Sequence, residues 1–122
     1  MAIKIRSLAN NQLINSTAAT ILDAITAGQP SKVVRNIRFV NTGSAEIGLN
    51  LSLNGPQRIN PPPSSPPRIQ RRLLPPGTKI PPGGLLVMDE EVTLEAGKDS
   101  ILASLTATGT VDYVVSGFTR DS

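Results

Sequence analysis

The chain has 122 residues and a formal net charge of +3, and it contains no cysteine and no histidine. Its length fits one domain with one core, so we expect a single domain over residues 1–122. The missing residue types exclude a disulfide framework, a zinc site built from cysteine and histidine, and a catalytic triad that uses either residue. With two phenylalanines and one tyrosine as its only aromatic residues, the chain needs an aliphatic core, which favours a sheet interior.

The N-terminal part predicts one strand and one ambiguous segment. AIKIRSL alternates isoleucine with lysine and arginine, which indicates an edge strand with its charges in solvent or an extended arm. TAATILDAITAG suits a short helix capped by Thr17 and closed by Gly28, or a strand with Ile21 and Ile25 on one face. The pattern alone leaves both alternatives open.

Two well-patterned runs follow. SKVVRNIRFVNTGS predicts a strand with Val33, Ile37 and Phe39 on one face, ending at a turn of Asn-Thr-Gly-Ser composition. In EIGLNLSLN, polar residues and glycine alternate with four apolar residues, which are Ile47, Leu49, Leu51 and Leu53. We expect the two runs to form an antiparallel hairpin.

The central segment is dense in proline. Residues 58–84 hold nine of the eleven prolines and four arginines, with no acidic residue. Prolines at this density do not pair inside a sheet, so we expect a long proline-rich loop, an arm or insertion, over residues 56–84. As polyproline II, residues 56–67 would extend about 35 Å and reach a neighbouring subunit. A plain surface loop is the alternative.

The candidate partner-contact residues lie in this segment. Arginines can form bidentate pairs with carboxylates of another chain, or they can be solvated charges on an edge strand. The segment lacks the aromatic platforms that single-strand nucleic-acid binders use, so we expect a protein partner and no nucleic acid. The predicted contact residues are Arg58, Pro61, Pro62, Pro63, Pro66, Pro67, Arg68, Arg71 and Arg72.

The C-terminal part predicts four further strands. LLVMD and EVTLEAG are short runs joined through an acidic turn. DSILASLTATG and TVDYVVSGFTR predict a second hairpin, with alternate apolar residues at Ile101, Ala103 and Leu105, and at Val111, Tyr113 and Val115. The whole pattern indicates an all-β fold, an antiparallel β-sandwich or jelly roll of seven to eight strands.

Five acidic residues raise the question of a cation site or a catalytic carboxylate pair. Their spacing fits no calcium loop, so we interpret them as solvated turns and expect no metal, no cofactor and no enzymatic activity. They are Asp89, Glu90, Glu91, Glu95 and Asp99.

A series of turn motifs occurs in a fixed order between Lys32 and Arg120. The motifs are Asn41 to Ser44, Leu74-Pro75, Pro82 to Gly84, Met88-Asp89, Leu94 to Asp99 and Ser116-Gly117. In this order they resemble the small virion structural proteins of tailed bacteriophages. The chain departs from that pattern in an inserted Lys98 and in the dense prolines from Pro56 to Pro67, which leave its role in assembly open.

The resemblance implies a β-sandwich subunit on a phage particle, made in the cytoplasm of the bacterial host, and it favours a strand over residues 20–27. The expected role is a capsid decoration or cement protein that contacts other virion proteins, the major capsid or tail subunits. We expect a homo-oligomer, with a trimer favoured, and no membrane association. The alternatives are a ring-forming neck or tail accessory protein and a free carbohydrate-binding module.

Overall fold

A computed structural model describes residues 2–59, 61 and 64–121, with the side chains in these ranges from residue 8 to residue 119. The described residues form ten strands and no helix. The strands are β1 (Ala2–Leu13), β2 (Ala19–Asp23), β3 (Ser31–Asn41), β4 (Ile47–Pro56), β5 (Arg68–Arg72), β6 (Thr78–Ile80), β7 (Leu85–Met88), β8 (Val92–Leu94), β9 (Ser100–Leu105) and β10 (Val111–Asp121).

The strands form two antiparallel sheets of five strands each. The first sheet has the order β1-β10-β3-β7, with β8 also paired to β3, and the second has the order β2-β9-β4-β5, with β6 also paired to β4. The architecture is therefore all-β and consistent with a β-sandwich, as the sequence predicts. The described part of the chain includes no helix that is long and apolar enough to cross a membrane.

The strand count differs from the seven to eight that the sequence predicts. The two additional strands, β5 and β6, lie inside the segment 56–84 that was expected to be an arm or insertion. Both pair with β4, so the segment contributes two short strands to the second sheet, and its longest connection is residues 57–67. The segment contains strands because its prolines cluster on either side of RIQRR and TKI, which carry none.

Both predicted hairpins are wrong. β3 and β4 lie in different sheets, and so do β9 and β10. The connections 42–46 and 106–110 are longer than the two-residue turns that hold neighbouring strands together, and they cross the spacing of about 10 Å between packed sheets. Each strand instead pairs with a partner that is distant in sequence.

The alternating faces predicted for β4, β9 and β10 are confirmed, because their apolar residues lie in the core between the sheets. On β3 the prediction fails for two residues, since Val34 is buried and Val33 is half-buried on the outer face. The ladder with β10 skips Arg35, because Asn36 pairs with Ser116 and Val34 with Gly117. This bulge reverses the faces on one side of Arg35.

The ambiguous segment forms β2 and a turn. Ile21 and Leu22 are both buried, because the pairing of β2 with β9 shifts between Thr20 and Leu22. The strand ends at Asp23, whose carboxylate accepts hydrogen bonds from the Thr26 hydroxyl and the Ile25 N–H. These bonds lower the pKa of Asp23 and fix the turn that follows.

Candidate functional site

The proline-rich loop is the tip of a hairpin. β4 runs to Pro56 and β5 begins at Arg68, and these two residues pair with each other. The Gln57 N–H also donates to the Pro67 carbonyl, at 2.8 Å. The two ends of the loop are therefore adjacent, and the predicted reach of 35 Å is wrong, since half of this loop extends about 15 Å at about 3.1 Å per residue.

The loop is anchored to the turn between β8 and β9. The Arg58 Nη2 donates to both carboxylate oxygens of Asp99, at 3.1 and 2.9 Å, and lies 3.7 Å from Glu95 Oε2. The Glu95 N–H donates to Asp99 Oδ2 at 2.9 Å. The Asp99 side chain is 1% exposed whereas that of Arg58 is 45% exposed. We call these three residues the anchor.

The sequence analysis missed this role of Asp99. Its carboxylate lies against Gly55, where a β-carbon would overlap Asp99 Oδ1, so only glycine admits the buried acid there. The interpretation of Asp99 as a solvated turn residue is therefore wrong. Its ion pair joins residues 41 positions apart, so no local pattern could have indicated it.

Arg58 was predicted as a contact to a partner, but its guanidinium binds Asp99 of the same chain. Arg68 is also partly engaged, because its Nη1 donates to the Lys98 carbonyl at 2.9 Å. Arg72 donates to Asn50 Oδ1 at 3.2 Å. Within the part of the chain that the structure describes, Arg71 makes no side-chain hydrogen bond and no ion pair.

The predicted proline contacts lie on the loop. Pro61, Pro66 and Pro67 are exposed, whereas Pro62 and Pro63 fall outside the described residues. The exposed arginines of β5 are Arg68, Arg71 and Arg72, so prolines and arginines share one tip. We call residues 57–72, the loop and β5 together, the basic tip.

Cross-strand pairs place the β5 side chains on two faces. Arg68, Gln70 and Arg72 lie on the outer face of the sheet, whereas Ile69 and Arg71 lie on the face of the core residues Leu49 and Leu51. A shallow cavity of about 190 Å³ opens on that inner face. Its lining includes Leu53, Ile59, Ile69, Arg58 and Arg71.

A second cavity, of about 170 Å³, lies on the outer face of the same sheet and is mostly polar. Its lining includes Asn50, Ser52, Gln70, Arg72 and Ser104. No aromatic residue lines it.

The remaining acidic residues are exposed, as expected. Asp89, Glu90 and Glu91 form the turn between β7 and β8, where Glu91 lies 3.9 Å from the Arg35 guanidinium. Glu95 lies 3.3 Å from Lys98. Among the described residues, no group of three acids is arranged to hold a metal ion.

No protein-family model matches the chain, and neither a curated protein sequence nor a solved structure is significantly similar to it. The resemblance to virion proteins of tailed bacteriophages therefore stays a prediction. The fold and the basic tip are the observations from which a function can be argued.

Proposed function

We propose that the chain is a non-enzymatic structural protein of a tailed-bacteriophage particle, a capsid decoration protein that grips neighbouring subunits with its basic tip. The single observation that carries this proposal is the anchored tip, because its arginines and its described prolines are exposed while the Arg58–Asp99 ion pair fixes its base. Burial of a carboxylate costs free energy, and a loop that served only as a connection would not need such a group to hold it.

The strand order supports a particle role. If β5 with β6 and β7 with β8 are each counted as one interrupted strand, the chain pairs its first strand with its last, its second with the next to last, and so on inwards. This nested pairing is that of an eight-stranded jelly roll, a fold that viral capsid proteins and lectins use.

The tip is suited to binding because little of it must be ordered on contact. Proline restricts the backbone before a partner arrives. The anchor holds the N-terminal side of the loop and the Gln57–Pro67 hydrogen bond closes its base, so docking costs less conformational entropy. The arginines then offer planar, permanently charged donors that match carboxylates. In an assembly of many copies, modest contacts of this kind add through effective concentration.

The proposal is tested with particles purified from the bacterial culture whose phage encodes the chain. The purified protein should band with these particles in a density gradient. A variant in which Asn-Gly replaces residues 59–66 keeps Arg58 and leaves the three-residue turn Arg58-Asn-Gly between the hydrogen-bonded residues Gln57 and Pro67. It should melt like the native protein but bind the particles at least about tenfold more weakly.

A matched variant carries a Gly-Ser loop of the native length in place of residues 59–66. It should bind with intermediate affinity, because it keeps the length of the loop, which the shortened variant lacks, but loses the stiffness of the prolines. If the shortened variant occupied particles as fully as the native protein, the loop would be only a connection and the proposal would fail.

The neck or tail accessory role belongs to the same class and differs in where the protein lies on the particle. Labelling the bound protein in low-resolution images separates the two, and light scattering of the free protein reports whether it is the expected trimer or a larger ring.

A carbohydrate-binding module is a second candidate because the polar cavity on the outer face presents amides, hydroxyls and one guanidinium. Sugar sites usually add an aromatic face, and Phe39 and Tyr113 are both buried. Binding of an oligosaccharide, lost in Asn50→Ala and retained in Arg71→Ala, would favour this candidate over the particle role.

A further inference from the structure

β5 is an edge strand whose outer edge is free in the described part of the chain, because it pairs there only with β4. The Leu73 N–H donates to the Leu51 carbonyl and the Gln57 N–H donates to the Pro67 carbonyl, both at 2.8 Å. Hydrogen-bonded pairs alternate along an antiparallel ladder. The backbone groups of β5 that point away from β4 are therefore those of Arg68, Gln70 and Arg72.

These outward groups form a template for another strand. An extended segment can hydrogen-bond to them and place its alternate side chains on the two faces of β5. On the outer face it would meet Arg68 and Arg72, and on the inner face Ile69 and Arg71. Beside Ile69, the cavity of about 190 Å³ has room for one aliphatic side chain.

Charge decides which strand fits. In an antiparallel pair of two β5 strands centred on Gln70, Arg68 of each copy would face Arg72 of the other, and like charges in directly opposite positions are destabilising. A second copy is therefore disfavoured in this register, as at other charged edge strands. The excess of arginine is complementary to an acidic strand, and among the described residues no acidic side chain forms an ion pair with Arg68, Arg71 or Arg72.

We propose that β5 binds an acidic extended segment of another protein as an added antiparallel strand. Opposite Arg72, Arg71, Gln70, Ile69 and Arg68, the segment reads acid, acid, polar, aliphatic, acid from its N-terminus. Each acid faces an arginine and the aliphatic residue enters the cavity beside Ile69. The inference rests on the proposed function, since it names the chemistry of the partner that the basic tip contacts.

The test uses the full-length protein and the acetylated, amidated peptide Asp-Glu-Thr-Val-Asp. Titration is followed by NMR of backbone amides, because one short strand binds weakly. The amides of Arg68, Gln70 and Arg72 should shift and become protected from solvent exchange. The peptide Lys-Lys-Thr-Val-Lys should cause no such change.

The variant Arg71→Glu, Arg72→Glu should weaken peptide binding by at least about tenfold, because it reverses two cross-strand charge pairs. The control is Arg38→Glu, an exposed arginine in the other sheet, which should bind the peptide like the native protein. Normal thermal melting of both variants shows that they fold.

Two outcomes would overturn the inference. The first is that the acidic peptide shifts the amide signals of residues outside β5, or shifts no signals. The second is self-association of the free protein that Arg71→Glu abolishes, because a second copy would then occupy the edge. Particle binding that persists when the peptide fails would leave the proposed function standing without this partner, so the two failures are distinguishable.

Discussion

Two stretches of similar proline content behave differently in this molecule. Residues 75–84 are tied into the sheets, because the Gly83 N–H donates to the Asn41 carbonyl at 2.9 Å and the Asn41 N–H donates to the Gly84 carbonyl at 3.0 Å. The loop 57–67 is held at its base, by its closing backbone bond and by the ion pair of Arg58 with Asp99, and its other described residues make no such backbone bond to the sheets.

The difference follows from what stands beside the prolines. In PPGT and PPGG a glycine follows each proline pair, and Gly77 and Gly83 adopt positive φ angles of 62° and 72° that complete tight turns. The stretch PPPSSPP offers no glycine, so it has no residue suited to the positive φ that completes such tight turns. Proline content alone thus does not distinguish a structural connection from a binding loop.

The largest effect is expected at Asn41, where residues 75–84 join the core. The Asn41 side chain is 1% exposed, donates to the Ala45 and Ile80 carbonyls, and accepts from the Gly43 N–H. Asn41→Ala should lower the free energy of unfolding by about 3 kcal/mol, because the buried Ile80 carbonyl and the part-buried Ala45 carbonyl and Gly43 N–H lose their partner. Urea unfolding measures this loss. The exposed Asn10→Ala should cost little, and equal losses in both variants would contradict the argument.

A smaller effect is expected at the anchor of the loop 57–67. Asp99→Ala should cost about 2 kcal/mol, because it orphans the Glu95 N–H and frees Arg58, which remains half-exposed and can be hydrated. It should also speed cleavage by trypsin after Arg58, since the loop loses its anchor. The exposed Asp89→Ala should change neither measurement. Unchanged cleavage in Asp99→Ala would show that the loop is held by other contacts.

The smallest effect is expected at a single turn. Gly83→Ala should cost about 1 kcal/mol, because φ is +72° while a β-carbon there meets no atom within 4 Å. Thermal melting measures this loss. The matched change in the loop 57–67, Ser65→Ala, should leave the melting temperature unchanged. A neutral Gly83→Ala would mean that the turn relaxes to another conformation without cost.

Much of the fold could be predicted from local alternation. The period of two in β4, β9 and β10 identifies both the strands and the residues they bury, because one face of each must leave water. Alternation does not tell which strands are neighbours, so the two hairpins were predicted wrongly. It also fails at a bulge. Because the ladder skips Arg35, Val34 lies on the core face where Val33 was expected.

The candidate site was predictable in location but not in mechanism. The cluster of arginines and prolines indicates an exposed basic segment, and the structure places it at a hairpin tip. Which arginines are paired within the chain and which are exposed to a partner depends on distant residues. Arg58 meets Asp99 only after β4 and β9 have paired, and no spacing in the sequence carries that information.

The position of β10 has a consequence for biosynthesis. It lies between β1 and β3, so the first sheet lacks an inner strand until residues 111–121 have been made. A nascent chain on the ribosome therefore exposes the edges of β1 and β3 and part of the aliphatic core until these residues have emerged. Contacts this distant in sequence close slowly, so we expect the domain to fold in milliseconds to seconds once β10 is available rather than strand by strand.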